Sequence, residues 1–204
     1  MLFSDTYKIL QSPCEGVFKD RGSKFMAYAF PIFREDELKP ILHQIKKEHF
    51  AAAHHCYAYV LGAGKEIEKA NDDREPANTA GKPILRSILS KDLTNTVVIV
   101  VRYFGGKLLG VPGLINAYGE AANDALNNGI IIEKIVCEHY QLSFEYEQEN
   151  EAFRIIKHFG LKILQHHHTE KISLIFEVRK SQADQVIKAI KEKHFFEVKF
   201  LSEH

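Results

Sequence analysis

Thr96-Val-Val-Ile-Val-Val101 constrains the fold of this chain more than any other segment, and it runs directly into Arg102, Tyr103, Phe104 and the pair Gly105-Gly106. An unbroken β-branched run has neither the polar face of a surface helix nor the alternation of a half-exposed strand. It predicts a strand over 96–101 that is covered on both faces. The strand cannot continue, because Gly105, Gly106, Gly110, Pro112 and Gly113 crowd the next few positions, and apolar periodicity predicts a helix over 114–126. Two readings of the loop follow. In one, the glycines let backbone N–H groups approach an anion near the helix N-terminus, with Arg102 and Lys107 supplying charge; in the other, they only permit tight turns and Arg102 is a structural partner of the Asp72/Asp73/Glu75 loop. The spacing is neither the Walker pattern nor the dinucleotide fingerprint.

A chain of 204 residues with 45% hydrophobic content suffices for one large or two small packed domains. Lys+Arg and Asp+Glu both total 27, so nucleic-acid binding would need a local basic patch. Nothing at the N-terminus has the form of a cleavable leader, and no apolar run approaches membrane-spanning length. Cys14, Cys56 and Cys137 are odd in number and far apart, which argues against a disulfide framework or a structural zinc site. The expectation is a cytoplasmic protein with no membrane partner.

The C-terminal third shows the clearer architecture. Strands are expected over 138–146, 161–168, 171–179 and 195–201, with helices over 149–159 and after Ser181 as N-cap. The order β-α-β-β-α-β is the ferredoxin-like split βαβ pattern. Before it, strands are expected over 15–19, 24–32, 54–61, 96–101 and 130–136, helices over 36–48, 84–89 and 114–126, and a long polar loop over 62–82. The fold class is therefore α+β in two domains, 1–137 and 138–204.

Three islands carry the chemistry: His54-His-Cys-Tyr-Ala-Tyr59; Asn71-Asp-Asp-Arg-Glu-Pro76 with Thr79-Ala-Gly-Lys-Pro83; and Val101-Arg-Tyr-Phe-Gly-Gly-Lys-Leu-Leu-Gly110. Their order and content resemble the IMPACT/YigZ family, whose pattern runs His-x-Cys-x-Ala, Asp-Asp-Gly-Glu-Pro, Thr-Ala-Gly-x-Pro and Val-Arg-Tyr-Phe/Tyr-Gly-Gly-x-x-Leu-Gly. The chain departs from that pattern at Arg74 and Asn78, where glycine is usual, and at Val111-Pro112, where Thr-Gly is usual. The resemblance implies a bacterial two-domain member. Its N-terminal domain would be like the second domain of small-subunit ribosomal protein five and domain IV of elongation factor G, and its C-terminal domain like domain V of that factor. For eukaryotic members it implies translational control.

Each candidate residue has a functional and a structural reading. Alternation places His54, Cys56, Ala58 and Val60 on one strand face, where His54 either orients a loop carboxylate or sits hydrogen-bonded at the core. A Cys56 nucleophile paired with His54 is disfavoured, because side chains two apart on one face run parallel. Asp72, Asp73 and Glu75 either hold a divalent cation or supply general acid/base catalysis, or they simply cap turns in a solvated loop. Within His166-His-His168 only His166 and His168 share a face, giving two metal ligands at most without help from elsewhere; in the structural reading, which is preferred, the run is a solvated strand end.

The leading expectation is a binding or regulatory protein linked to translation or RNA, leaning away from an enzyme, with no cofactor and no metal. Arg102, Tyr103, Gly105, Gly106, Lys107, Gly110 and Gly113 form its anion-facing or nucleic-acid-facing edge, and His54, Asp72, Asp73 and Glu75 its rim. RNA, a ribosome-associated partner or a protein are the candidate partners; the oligomeric state is open. The alternative is a metal-assisted hydrolase or transferase acting on a phosphorylated small molecule.

Overall fold

The computed structural model describes residues 5–203, which divide into two compact units. One is Tyr7–Lys134; the other runs from Ile135 onward and takes in Asp5 and Thr6 from the start of the chain.

The first unit is built on a five-stranded antiparallel sheet of β2 (Cys14–Asp20), β3 (Ser23–Pro31), β4 (His54–Leu61), β5 (Ile67–Asn71) and β6 (Thr96–Tyr103), in the order β2-β3-β6-β4-β5. Its central strand is β6, the β-branched run. Val98 and Val100 pack with Cys56, Ala58, Ile84, Ile88, Tyr118 and Ala121, whereas Val97, Ile99 and Val101 pack with Tyr28, Tyr59, Leu38 and Ile45. Helices α2 (Gly81–Ser90) and α3 (Gly110–Asn128) thus cover one face and α1 (Leu38–Glu48) the other. Runs buried on both faces are commonest in parallel sheets; here an antiparallel strand reads the same way because both of its faces carry helices. Each such side chain is worth about 1.5–3 kcal/mol of burial, so a one-residue slip of β6 would cost the core on both faces.

Pro40 is tolerated in α1 because it stands in the first turn, where its missing N–H has no intrahelical acceptor to lose. Helix α3 starts at Gly110, four residues before the expected start, so Val111-Pro112 lies within its first turn. The segment expected as a loop over 62–82 contains β5, an edge strand whose five residues are all exposed. A further strand absent from the sequence reading, β1 (Thr6–Leu10), pairs with β7 (Ile131–Ile135), and its Ile9 and Leu10 are buried.

The second unit has the element order β8 (Cys137–Phe144), α4 (Glu149–Phe159), β9 (Lys162–His168), β10 (Ile172–Arg179), α5 (Lys180–Lys191) and β11 (Glu197–Glu203). The sheet order is β11-β8-β10-β9, all antiparallel. Leu142, Phe144, Ile172, Leu174, Phe176 and Val178 pack against Ala152, Ile155 and Ile156 of α4 and Ala183, Val186 and Ile190 of α5. Gly160 ends α4 at φ 62°, a left-handed position that glycine takes at no steric cost. Ser181 falls within the first turn of α5 and Arg179 takes the cap position, correcting the expected N-cap. Arg179 is held in place by Asp5, whose carboxylate accepts from Nε at 2.6 Å and Nη2 at 2.7 Å. This pairing keeps the Asp5 carboxyl well below the usual carboxylate range. No helix among the described residues is long and apolar enough to cross a membrane.

Candidate functional site

The register of β6 decides the chemistry of its end. Arg102 lies opposite His54 of β4 on one side and Phe25 of β3 on the other, on the face covered by α3. Its guanidinium is consequently buried, with 5% of the residue exposed. Nη1 donates to Glu75 Oε1 at 2.5 Å, and the Phe25 and Phe104 rings each lie 5.5 Å from Cζ. Glu75 is itself 8% exposed, and its Oε1 also accepts from the Tyr118 hydroxyl at 2.8 Å. Arg102 therefore spends its charge on an internal carboxylate and cannot serve as the open anion-facing group expected from its position beside the glycines. One nitrogen, Nε, is buried with no hydrogen-bond partner among the described residues.

The acidic loop wraps around this pair. Asp72 accepts three backbone N–H groups, from Asn78 at 2.9 Å, Ala80 at 3.0 Å and Gly81 at 2.8 Å, and so caps α2 from a distance. That reach needs Gly81, since a Cβ there would stand 2.6 Å from the Asn71 backbone nitrogen. Asp73 accepts from the His55 backbone N–H at 2.7 Å, and its carbonyl lies 2.8 Å from His54 Nδ1. The carbonyl can only accept, which places the shared hydrogen on Nδ1 and turns Nε2 toward Glu75 Oε1, 3.7 Å away. His54 is thus a positioned, half-buried group at the edge of a closed network. Among the described residues, Asp72, Asp73 and Glu75 do not assemble as three ligands to one cation.

Cys56 donates to the Asp72 carbonyl at 3.1 Å and lies 3.4 Å from the Tyr118 hydroxyl. Burial pushes both the Cys56 thiol and the Tyr118 hydroxyl far up from their ordinary values, which removes Cys56 as a thiolate nucleophile at neutral pH. Tyr103 belongs to the opposite face, where its hydroxyl and that of Tyr28 meet the two nitrogens of His49, at 2.9 and 2.8 Å. It too leaves the expected edge. Burial pushes the Tyr28 hydroxyl to about 12.

Two of the three departures from the family pattern fall on strained backbone. Arg74 has φ 70° and Asn78 φ 65°, the left-handed region where glycine is unstrained. The Arg74 side chain is 81% exposed and 3.9 Å from Asp73, so little would be lost with it. Arg74→Gly is expected to raise stability by about 0.5–1 kcal/mol, the left-handed penalty less the chain entropy that glycine adds to the unfolded state. A urea midpoint at or below that of the parent would contradict it.

What remains open at this end of the sheet is the loop itself. Phe104 is 52% exposed, Leu108 83% and Val111 52%, and Lys107, Gly106 and Gly110 are exposed beside them. Gly105 has another task. A Cβ there would stand 1.9 Å from the Gly22 carbonyl carbon, so only glycine lets the loop lie on the β2–β3 turn. Its N–H is used on Ser23 Oγ at 3.1 Å, and is not directed at an anion. Gly113 is partly buried within α3. The Gly22 contact brings Arg21 and Lys24 to the same end of the sheet as Lys107, a grouping that sequence separation hid.

Comparison with known proteins places this geometry. The Impact N-terminal domain matches residues 21–126, and a domain of unknown function, DUF1949, matches residues 142–193. IMPACT family member YvyE of Bacillus subtilis is 40% identical over 61% of this chain and 57% of its own length. IMPACT family member YigZ of Escherichia coli is 34% identical over 71% of this chain and 72% of its own. A solved structure described only as that of a hypothetical protein is 27% identical, with a TM-score of 0.70 over 97% of each chain. The Arg102–Glu75 lock, the Asp72 cap and the glycine loop are built from the three islands of the family pattern, all within the matched residues, and the chain belongs to the IMPACT family.

Proposed function

We propose that this protein is a cytoplasmic binding or regulatory protein linked to translation, and that it contacts its partner through the end of the N-terminal sheet where the glycine loop meets the β2–β3 turn. The link to translation follows from family membership, since the resemblance ties the eukaryotic members to translational control. We read the N-terminal unit as the fold of the second domain of small-subunit ribosomal protein five and the C-terminal unit as ferredoxin-like, with the domain boundary near Cys137. The order β11-β8-β10-β9 on a β-α-β-β-α-β chain supports the latter reading.

One observation carries the binding reading over catalysis. The acidic and basic groups that could do chemistry are engaged with one another or with the backbone, while Lys107, Arg21, Phe104 and Leu108 are exposed at the sheet end. Exposed cations interleaved with an aromatic and an aliphatic side chain suit RNA, whose phosphates neutralise charge and whose unpaired bases stack. The test is co-sedimentation with ribosomes and salt-titrated binding of total RNA. The double charge reversal Lys107→Glu/Arg21→Glu is expected to abolish most of the affinity and to lower the salt slope by about one unit per lost contact, at unchanged thermal stability. Unchanged affinity in the double variant would reject this surface.

A further inference from the structure

Two histidines in the second unit stand where core side chains are expected. His166 lies opposite Leu174 and His168 opposite Ile172 in the β9–β10 register. Residues directly opposite in an antiparallel pair share a face, and Leu174 and Ile172 are fully buried under α4 and α5. Strand β9 is the sheet edge, so this face is only partly roofed there and both imidazoles are exposed. Their ring centroids are 4.1 Å apart. Helix α4 covers the same face, and its first residue, Glu149, brings a carboxylate oxygen to them. The ligand atoms of Glu149, His166 and His168 all lie within 4.8 Å of one another. His167 points away and bonds Gln165, at 3.1 Å.

We propose that Glu149, His166 and His168 form a divalent transition-metal site, of zinc type, joining the start of α4 to the edge strand. Two imidazoles and one carboxylate are a donor set suited to Zn²⁺, Ni²⁺ or Cu²⁺ and poorly suited to Mg²⁺ or Ca²⁺, which prefer all-oxygen shells. Three protein ligands leave a fourth tetrahedral position for water or for a donor from a partner. Metal–ligand bonds of about 2.0–2.2 Å require the three donors to close inward by small side-chain rotations, which exposed side chains can make. The Phe153 ring at 5.7 Å from His166 and the Tyr146 ring at 6.3 Å from His168 limit how far the imidazoles can swing out. Sequence alone offered two ligands on this strand; the fold supplies the third from 17 residues before His166.

The experiment is a Zn²⁺ titration of the full chain at pH 7.5 by calorimetry, with thermal unfolding recorded in parallel. One saturable Zn²⁺ per chain is expected, with a rise in Tm that a chelator reverses and that Mg²⁺ does not reproduce. His166→Ala and His168→Ala should each weaken binding about 10–100-fold, Glu149→Gln should weaken it less, and all three should keep the Tm of the metal-free parent. His194→Ala, a histidine outside the cluster, should bind as the parent does. Saturable binding unaffected by His166→Ala and His168→Ala, or no saturable binding at all, overturns the site.

Discussion

Arg102→Ala is expected to cost about 3–5 kcal/mol of folding stability, because it leaves the Glu75 carboxylate buried with its cation removed. An exposed ion pair would give no more than about 1 kcal/mol, so the size of the loss distinguishes a structural lock from a surface cation waiting for a ligand. Tyr118 still donates to Glu75 in the variant, and His54 Nε2 is 3.7 Å away, but neither replaces the charge-assisted bond from Nη1. The loss should therefore shrink when the carboxylate is neutralised as well. The pair Arg102→Met/Glu75→Gln is expected to recover a large part of it, since an amide can keep the Tyr118 bond and the methionine stem keeps the contacts with Phe25 and Phe104. Urea unfolding of the parent, Arg102→Met, Glu75→Gln and the double variant closes a double-mutant cycle and measures the coupling directly. A loss under about 1 kcal/mol in Arg102→Ala would mean that the pair is dispensable and would return Arg102 to the list of ligand-binding candidates.

The position of Arg102 was legible in the sequence, which offered two readings of its chemistry, an anion-facing cation and a structural partner of the acidic loop; the bond to Glu75 is of the second kind. Along β6 the even residues Val98 and Val100 face α2 and α3, and the same alternation carries Arg102 inward and Tyr103 to the α1 side. The neighbouring glycines suggested an open anion site, yet parity along the strand points to burial. The main strand β6 was readable because both of its faces are covered and its apolar run is unbroken. Helix α4 was readable from its apolar stripe and the glycine after it. Strand β5 was not, since an edge strand with all five residues exposed carries no alternation and its Glu68 and Lys69 read as loop. Strand β1 pairs with a segment more than a hundred residues away, a pairing that no local pattern announces. The Asp72–helix contact and the nearness of Arg21 to Lys107 are likewise products of backbone approach at Gly81 and Gly105, where the sequence shows only the glycine and not what it meets.

Asp72→Ala is expected to destabilise the fold by about 3 kcal/mol, because one side chain satisfies three backbone donors and the N-cap residue of the helix that depends on two of them, Ala80, has no side chain that could cap it. The three donors differ in what replaces the carboxylate. Asn78 is exposed, so water can take its N–H, whereas Ala80 and Gly81 are buried and their amides would be left without an acceptor. Most of the cost should therefore sit at the start of α2. Hydrogen exchange at Ala80 and Gly81 should rise more than exchange along β6, whose bonds are untouched. Asp72→Asn separates geometry from charge: its amide oxygen can still accept from Ala80 and Gly81, while its NH₂ now faces the Asn78 N–H and the negative charge at the helix N-terminus is gone. A smaller loss, about 1–2 kcal/mol, is expected for it. Equal losses for the two variants would assign the whole effect to charge. A loss below about 0.5 kcal/mol for Asp72→Ala would show that the loop caps α2 without this carboxylate, and that Asp72 is free for a ligand after all.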